Sequence, residues 1–415
     1  MKFRRRVASL LVLLCMLCAQ FVQAAANPDS FHENYKLVQM VILSRHNIRA
    51  PLAGPGSPMY AATDHVWHDF GVNKGELTKH GGQMEKEMGA YFRLYAEREG
   101  LFPTGEPLPQ EQVWFRANAF QRTIATARNF AVGFSPGQEI TVHYKGNVGD
   151  ADPLFMPGTE DRGAEFVTRN QQELAALGGS EALLAAAAPG VQVAARVLDR
   201  PVIDLSTVTV GVDTGFVVEG ALRPIMMACD ALILQHYELG DKRASFGHEL
   251  SFQEWQQLAA VKDLGVHVYR QVPTFARAVA RPLLTEMQAE LDSHSQKFTF
   301  LCGHDINIAP VMGALEVKDM VLPETIEQEA PIGSKIVVEE WKNKKGESFV
   351  NLKLVYPKTS QLTGAVPLNA DNPPEAVPLH LKNIRPNKDG LLSMQDFQQR
   401  ITDAISSDEE LLANR

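Results

Sequence analysis

The chain carries a nearly continuous apolar run, Leu37-Val38-Gln39-Met40-Val41-Ile42-Leu43, that leads directly into Ser44-Arg45-His46-Asn47-Ile48-Arg49-Ala50-Pro51. An apolar run without polar alternation is typical of a strand that is buried on both faces of a sheet. Pro51 ends the regular structure, because proline restricts the residue before it to extended conformations. The stretch therefore predicts a central strand with charged side chains at its carboxyl end.

Two later segments repeat the pattern of an apolar strand that ends in polar groups. Val113-Trp114-Phe115 is followed by a helix with Arg122 in its first turn, and the run from Lys297 to Cys302 ends in Gly303-His304-Asp305. Apolar residues at helical spacing from Thr78 to Gly100 add an amphipathic helix between the first two strands. The order strand, helix, strand, helix predicts an α/β fold with a mainly parallel central sheet flanked by helices.

The middle of the chain has a different texture. It is rich in alanine and leucine, places apolar residues at helical spacing, and contains one strand candidate, Thr207 to Val212. We therefore predict an inserted, mainly helical cap domain. The predicted division is a signal peptide over residues 1–24, the first part of the α/β core over 25–155, the helical cap over 156–292 and the second part of the core over 293–415.

The second part of the core is predicted to contain a β-hairpin, an irregular segment and a final helix. Lys335 to Trp341 and Phe349 to Tyr356 flank the turn-forming Asn343-Lys344-Lys345-Gly346. The Pro- and Asn-rich residues 357–390 predict an irregular surface loop. Ser393 is the candidate N-cap of the final helix.

The amino terminus has the composition of an export signal. Lys2 and three arginines precede an apolar run from Val7 to about Ala19, and Ala24-Ala25-Ala26 offers small residues for cleavage. The alternative is an uncleaved membrane anchor, although the apolar run is shorter than the ~20 residues that span a bilayer. The signal predicts a periplasmic or secreted protein without stable membrane association after cleavage.

The composition excludes some classes of function. A net charge of −9 argues against nucleic-acid binding, which requires a basic surface. Cys15 and Cys18 lie in the predicted signal, which leaves Cys229 and Cys302 in a compartment that would be oxidising. Both lie in apolar segments, so we expect two separate buried thiols, with a disulfide as the alternative.

The charged clusters after the buried strands supply the groups that phosphoryl transfer needs. In open α/β sheets ligands bind beyond the carboxyl ends of the strands, so these clusters are expected to share one site. A neutral histidine is a good phosphoryl acceptor, which makes His46 the candidate nucleophile. Asp305 is the candidate proton donor, because a nearby phosphate dianion would raise its pKa. The candidate phosphate-binding residues are Arg45, Arg49, Arg122 and His304, the last as an additional donor if it is protonated.

These segments resemble the histidine acid phosphatase family. Residues 44–51 resemble its Arg-His-Gly-x-Arg-x-Pro signature, Gly303-His304-Asp305 resembles its second signature, and Gln121-Arg122-Thr123 resembles its third phosphate-contacting arginine segment. The resemblance implies a two-step reaction: His46 takes the phosphoryl group, Asp305 protonates the leaving alcohol, and water then releases phosphate. It also implies an α/β core with a helical cap that shapes the substrate entrance. Because the residues named above supply each group that the reaction needs and no metal-ligand set stands out, we expect no metal or other cofactor.

Two kinds of substrate remain open within this family. Asn47 replaces the usual glycine of the signature, as in the glucose-1-phosphatase subgroup, and Pro331 to Trp341 is similar to the same subgroup. Asp152-Pro153-Leu154-Phe155 is similar to bacterial phytases instead. We expect small sugar phosphates such as glucose 1-phosphate, with the highly charged inositol hexakisphosphate as the alternative.

Other classes of function are less consistent with the residues. A periplasmic phosphate-ester binding protein would need the arginines but neither a nucleophile nor a proton donor, and a phosphoglycerate-mutase-like enzyme would not need an export signal. His65-Val66-Trp67-His68-Asp69 could bind a metal. Without a further ligand at known spacing, however, ordinary loop histidines are the better interpretation.

Overall fold

The computed structural model of the chain describes residues 28–413, so the predicted signal peptide lies outside the described residues. The strands are β1 (Tyr35–Arg45), β2 (Val113–Ala117), β3 (Val142–His143), β4 (Thr209–Val212), β5 (Phe216–Glu219), β6 (Phe298–Gly303), β7 (Lys335–Asn343), β8 (Ser348–Tyr356), β9 (Glu375–Pro378) and β10 (Leu392–Ser393). The helices are α1 (Pro28–Asn34), α2 (Pro58–Ala61), α3 (Lys79–Arg98), α4 (Gln121–Phe134), α5 (Gly163–Ala176), α6 (Gly179–Val197), α7 (Leu222–Leu239), α8 (Phe252–Lys262), α9 (Leu264–Gln271), α10 (Pro273–Ser293), α11 (Asp305–Ala314), α12 (Thr359–Leu362) and α13 (Met394–Ala413). Short 3₁₀ turns occur at Gln110–Gln112, Leu205–Thr207 and Lys242–Ser245.

The central sheet has the strand order β10-β8-β7-β1-β6-β2-β3, and β9 pairs with β8. The pairs β1–β6, β6–β2 and β2–β3 are parallel, whereas β7 joins β1 and β8 in antiparallel fashion. The predicted α/β fold with helices flanking a central sheet is therefore confirmed, and its parallel half contains β1 and β6, which lead into the candidate site residues.

The apolar run of β1 is buried on both faces of the sheet. Met40 and Ile42 belong to one hydrophobic cluster, and Val41 and Leu43 belong to a second cluster on the opposite face. Burying such a side chain fully stabilises the fold by roughly 1.5–3 kcal/mol. Side chains of a strand alternate between faces, so a strand that is covered on both sides needs apolar residues at successive positions.

Three parallel strands end at the same edge of the sheet. The pairing places Arg45 of β1 opposite Gly303 of β6, and Ala117 of β2 opposite Cys302 of β6. The residues that follow these strands are therefore brought together at one edge, although they are far apart in the chain.

The middle of the chain is mainly helical, as expected, with α5 to α10 and one small hairpin, β4–β5. The second strand of this hairpin was not predicted, because its residues are half-buried or exposed and form no buried-strand pattern. The division between core and cap stays a prediction.

Across residues 28–413 no single helix is long and apolar enough to cross a bilayer, although α5 and α6, bent by 56°, reach that length and composition as a pair.

The second part of the core also follows the expectation in most respects. The β7–β8 hairpin forms, and the Ser393 hydroxyl accepts a hydrogen bond of 3.0 Å from the Asp396 amide at the start of α13. The segment that was expected to be irregular contains α12 and the edge strand β9, so that expectation was partly wrong. Cys229 and Cys302 are buried free thiols, as expected.

Candidate active site

The edge formed by β1, β6 and β2 brings all six predicted site residues to one place. Arg45 ends β1 and His46 follows it, while His304 and Asp305 lie between β6 and α11. Arg122 lies in the first turn of α4, after β2. The rings of His46 and His304 have centroids 5.4 Å apart. The cavity at this edge is lined by Arg49 and Asp305 among others.

The tautomer of His46 is set by the backbone. Its Nδ1 lies 2.8 Å from the carbonyl oxygen of Asn47, which can only accept a hydrogen bond, so Nδ1 carries the proton and Nε2 carries the lone pair. Burial and the positive charge of Arg122 hold the pKa of His46 well below its ordinary value. The ring therefore presents a neutral nucleophilic nitrogen at pH values that protonate an ordinary histidine.

Arg45 is a buried cation held between two carboxylates. Its Nη2 lies 3.0 Å from Oδ2 of Asp305, and its Nη1 donates to Oε1 of Glu327 at 2.8 Å and to the carbonyl oxygen of Ala330. Burial alone would lower the pKa of Arg45, but the two carboxylates outweigh burial and raise it. These contacts fix the guanidinium at the floor of the site.

Glu327, which sequence reasoning did not identify, anchors this floor. Besides Arg45, its carboxylate accepts hydrogen bonds from Lys262 Nζ at 2.7 Å, and from the Tyr237 hydroxyl and the Ile332 amide at 2.9 Å each. A buried carboxylate requires such a full set of donors. Glu327 lies in the loop after α11, where no local pattern marks it.

His304 is buried beside Arg122, which disfavours the protonated form of its ring. Burial and Arg122 lower its pKa to about 3. The Asn118 side chain accepts from the Ala119 amide through Oδ1 at 2.9 Å, so its Nδ2 faces His304 Nε2, 2.7 Å away, as a donor. Nε2 must then accept, and the single proton of the ring lies on Nδ1.

The proton on Nδ1 of His304 faces another donor. Nη2 of Arg122 lies 3.3 Å from this nitrogen, and neither group can accept from the other. Burial and the nearby charge of Arg49 also lower the pKa of Arg122 to about 10. Crowded donors and cations of this kind are satisfied by an anion, so the arrangement suits a phosphate group.

Asp305 is held in the ionised form by the cations around it, and the raised pKa expected beside a phosphate dianion stays a prediction. Burial raises its pKa, but the charges of Arg45 and Lys262 outweigh burial and lower it below the ordinary value. The expectation assumed a bound phosphate dianion, whose negative charge would oppose the effect of these cations.

Arg49 is paired with Asp230 of α7, with 3.1 Å between Nη1 and Oδ2. Asp230 is a second carboxylate that the sequence did not reveal.

Asn47, which replaces the glycine of the family signature, points away from the cavity. It is fully buried, and its Nδ2 donates to Oε2 of Glu85 at 2.8 Å. The other oxygen of Glu85 lies 2.7 Å from Lys335 Nζ, and both of these side chains are buried. The buried carboxylate of Glu85 therefore satisfies the amide of Asn47. Because Asn47 does not contact the cavity, it cannot select the substrate directly.

The cavity next to these groups has a volume of about 400 Å³. Its wall is largely apolar and includes Leu52, Met59, Phe216, Met226 and Met227. The basic residues of the lining, Arg49, Arg223 and Lys262, are matched by the acidic residues Asp230, Asp263 and Asp305. Apart from Arg49 and Asp305, the lining has two basic and two acidic residues, so its formal charge is balanced.

Comparison with known proteins identifies similar chains. The sequence profile of the histidine phosphatase superfamily (branch 2) matches residues 36–178 and 233–355. The glucose-1-phosphatase of Providencia rettgeri is 30% identical, over 94% of this chain and 98% of that protein. The glucose-1-phosphatase of Salmonella typhimurium is 31% identical, over 95% of this chain and 98% of that protein. The structure of the phytase from Citrobacter braakii shares the fold with a TM-score of 0.80 at 24% identity, covering 89% of this chain and 98% of that one.

Proposed function

The chain belongs to branch 2 of the histidine phosphatase superfamily and is a phosphatase. We propose that it hydrolyses small sugar phosphates such as glucose 1-phosphate through a phosphohistidine on His46. The observation that carries the proposed mechanism is the neutral Nε2 of His46 inside a group of anion-binding donors. We further propose that the protein acts in the periplasm or outside the cell, which rests on the signal predicted over residues 1–24.

The proposed reaction has two steps. Nε2 of His46 attacks the phosphorus, the P–N bond forms, and the P–O bond to the alcohol breaks as Asp305 delivers a proton to the leaving oxygen. Water then attacks the phosphohistidine, the P–N bond breaks, and a proton of the water passes through Asp305 to the inorganic phosphate that is released, which leaves Asp305 ionised again. The arginines and the Nδ1 proton of His304 bind the non-bridging oxygens during both steps, where their charge-assisted hydrogen bonds stabilise the transferring group.

The charge of the cavity favours a substrate with one phosphate group. The predicted cap over residues 156–292 contributes Phe216, Met226 and Met227, which offer an apolar face to the leaving alcohol. Inositol hexakisphosphate would bring several further phosphates to a lining whose basic residues are balanced by acidic ones. No basic residue of the lining would be left to neutralise these additional phosphates, which makes their burial unfavourable. The two glucose-1-phosphatases among the relatives are consistent with the sugar-phosphate proposal, whereas the phytase structure shows the shared fold alone.

We expect glucose 1-phosphate to be hydrolysed with a higher kcat/KM than inositol hexakisphosphate at acid pH. The ratio of the two kcat/KM values measures discrimination directly. A ratio that strongly favours the inositol phosphate would overturn the substrate assignment without affecting the phosphohistidine mechanism. Release of inorganic phosphate in either case excludes a binding protein, which is the alternative of another class.

We expect the substrate, rather than a group of the enzyme, to determine the pH above which kcat/KM falls. Asp305 is ionised in the free site, so we infer that the proton arrives with the phosphate monoester, whose second pKa is about 6. Above this pH the ester becomes a dianion without that proton, and kcat/KM should fall. On the acid side, the lowered pKa of His46 keeps the nucleophile unprotonated.

The measurement is the pH profile of kcat/KM for two substrates whose second pKa values differ. We expect the alkaline limb to shift with the substrate pKa. A limb that stays at one pH for both substrates would assign it to a group of the enzyme instead.

A further inference from the structure

A second group of chemically reactive side chains lies outside the catalytic cavity. His65, Asp199 and His248 come from three separate segments, and their ligand atoms all lie within 4.8 Å of one another. Nε2 of His65 lies 2.9 Å from Oδ2 of Asp199, and Nε2 of His248 lies 4.0 Å from Oδ1 of the same carboxylate. Each oxygen of Asp199 thus faces one imidazole.

The segments that carry His65 and Asp199 are held together on both sides of this pair. The Thr63 hydroxyl donates to the Leu198 carbonyl at 2.9 Å and accepts from the His65 amide at 3.2 Å. On the other side, both Nη atoms of Arg200 donate to the carboxylate of Asp64 at 2.8 Å. The position of the two candidate ligands is therefore fixed by neighbours that are not ligands themselves.

The third segment is attached to the first by a buried side chain. Gln235 of α7 accepts from the His68 amide at 2.6 Å and donates to the Ala244 carbonyl at 3.0 Å, which ties the loop before His248 to the segment of His65. The His65 ring also stacks on Phe246, with centroids 4.5 Å apart. Such contacts hold an imidazole in one orientation and reduce the entropy lost when a ligand binds.

We propose that His65, Asp199 and His248 bind a Zn²⁺ ion. Tetrahedral zinc with ligands at about 2.0–2.1 Å places the ligand atoms roughly 3.3–3.4 Å apart. One ligand atom from each of the three residues lies within 4.8 Å of the other two, and the separations of 2.9 and 4.0 Å involve different oxygens of Asp199. Rotation of the side chains that moves one carboxylate oxygen between the two imidazoles would complete the geometry. Two imidazoles and one carboxylate are a zinc-type donor set, and solvent would supply the fourth ligand.

This site differs from the metal interpretation that the sequence suggests. His68 and Asp69 are neighbours of His65 in the chain, but Asp69 Oδ1 accepts from the Gly71 amide and the His68 ring packs edge-on against Phe70. The ligands Asp199 and His248 are remote in sequence and become neighbours only in the fold. None of the three lines the catalytic cavity, so the ion has no part in the proposed phosphoryl transfer.

The test is calorimetric titration of Zn²⁺ into the untagged, chelator-treated protein at pH 7.5. We expect one site, and at least ~10-fold weaker binding in each of His65→Ala, His248→Ala and Asp199→Asn, because loss of even an outer-shell partner commonly costs 10–100-fold. Asp199 has a positive φ of 51°, a conformation that asparagine tolerates, so Asp199→Asn removes the charge without backbone strain.

The matched control is His68→Ala, which removes a histidine of the same loop that is not part of the site. We expect this variant to bind Zn²⁺ as the parent does, and Zn²⁺ to raise the melting temperature of both. Absence of stoichiometric binding in the parent would overturn the proposal. So would equal binding by the parent and the three ligand variants, which would place the ion elsewhere, for example on the active-site histidines.

Discussion

Replacing His46 with alanine is expected to reduce kcat to below about one per cent of the parent value. The loss should reach at least the ~10²-fold that follows removal of an acid or base, because the group removed forms the covalent intermediate. Its Nε2 holds the free lone pair, since Nδ1 is hydrogen-bonded to the Asn47 carbonyl. No other described imidazole in the site can substitute, because Nε2 of His304 is occupied by Asn118 and its Nδ1 carries the proton.

The covalent role of His46 is best tested by a measurement that would not change if His46 were only structural, namely trapping of the phosphorylated enzyme. Rapid quenching at alkaline pH, where phosphohistidine survives, should trap labelled phosphate on the parent but not on the variant. His46→Asn serves as a second variant, because its amide can still donate to the Asn47 carbonyl and preserve the fold. His143→Ala, which removes an exposed histidine stacked on Trp114, is the control. Residual turnover above one per cent, or a trapped phosphoenzyme in the His46 variants, would contradict the assignment.

The strand ends of the site could be predicted from the sequence because their signal is local. The apolar residues of β1 and β6 require burial on both faces, and the charged residues after them can lie only at the carboxyl edge of the sheet. Asn118 could have been found by the same rule, since it directly follows β2 as His46 follows β1 and His304 follows β6. Its single polar amide gave a weaker signal than a histidine between two arginines.

The carboxylates that hold the arginines could not be predicted in this way. Glu327 lies in a loop and Asp230 on a helix of the middle region, and each meets its arginine only through the fold. Their pairing also determines properties that the motif alone does not reveal. Arg45 and Lys262 both pair with Glu327, and their charges hold the pKa of Asp305 below its ordinary value. The resting protonation state of the site therefore depends on residues outside the signatures.

Replacing Asp305 with asparagine is expected to slow hydrolysis of glucose 1-phosphate by ~10²- to 10⁴-fold, as for the loss of a general acid. The loss should be much smaller for p-nitrophenyl phosphate, whose leaving phenolate needs little protonation. A group that acted only by orienting Arg45, at 3.0 Å, would affect both substrates equally. The ratio of the two losses in kcat therefore separates proton donation from positioning.

Glu327→Gln is the matched control for this experiment. It weakens the other ion pair of Arg45, 2.8 Å long, while the shape of the side chain and the proton donor remain. We expect it to lower kcat by the same factor for glucose 1-phosphate and for p-nitrophenyl phosphate, because positioning of the phosphate group precedes bond breaking in both reactions. If Asp305→Asn lowered kcat by the same factor for both substrates, as expected for Glu327→Gln, Asp305 would be a positioning residue. The proton would then have to pass from the bound monoester to the leaving oxygen without the help of Asp305.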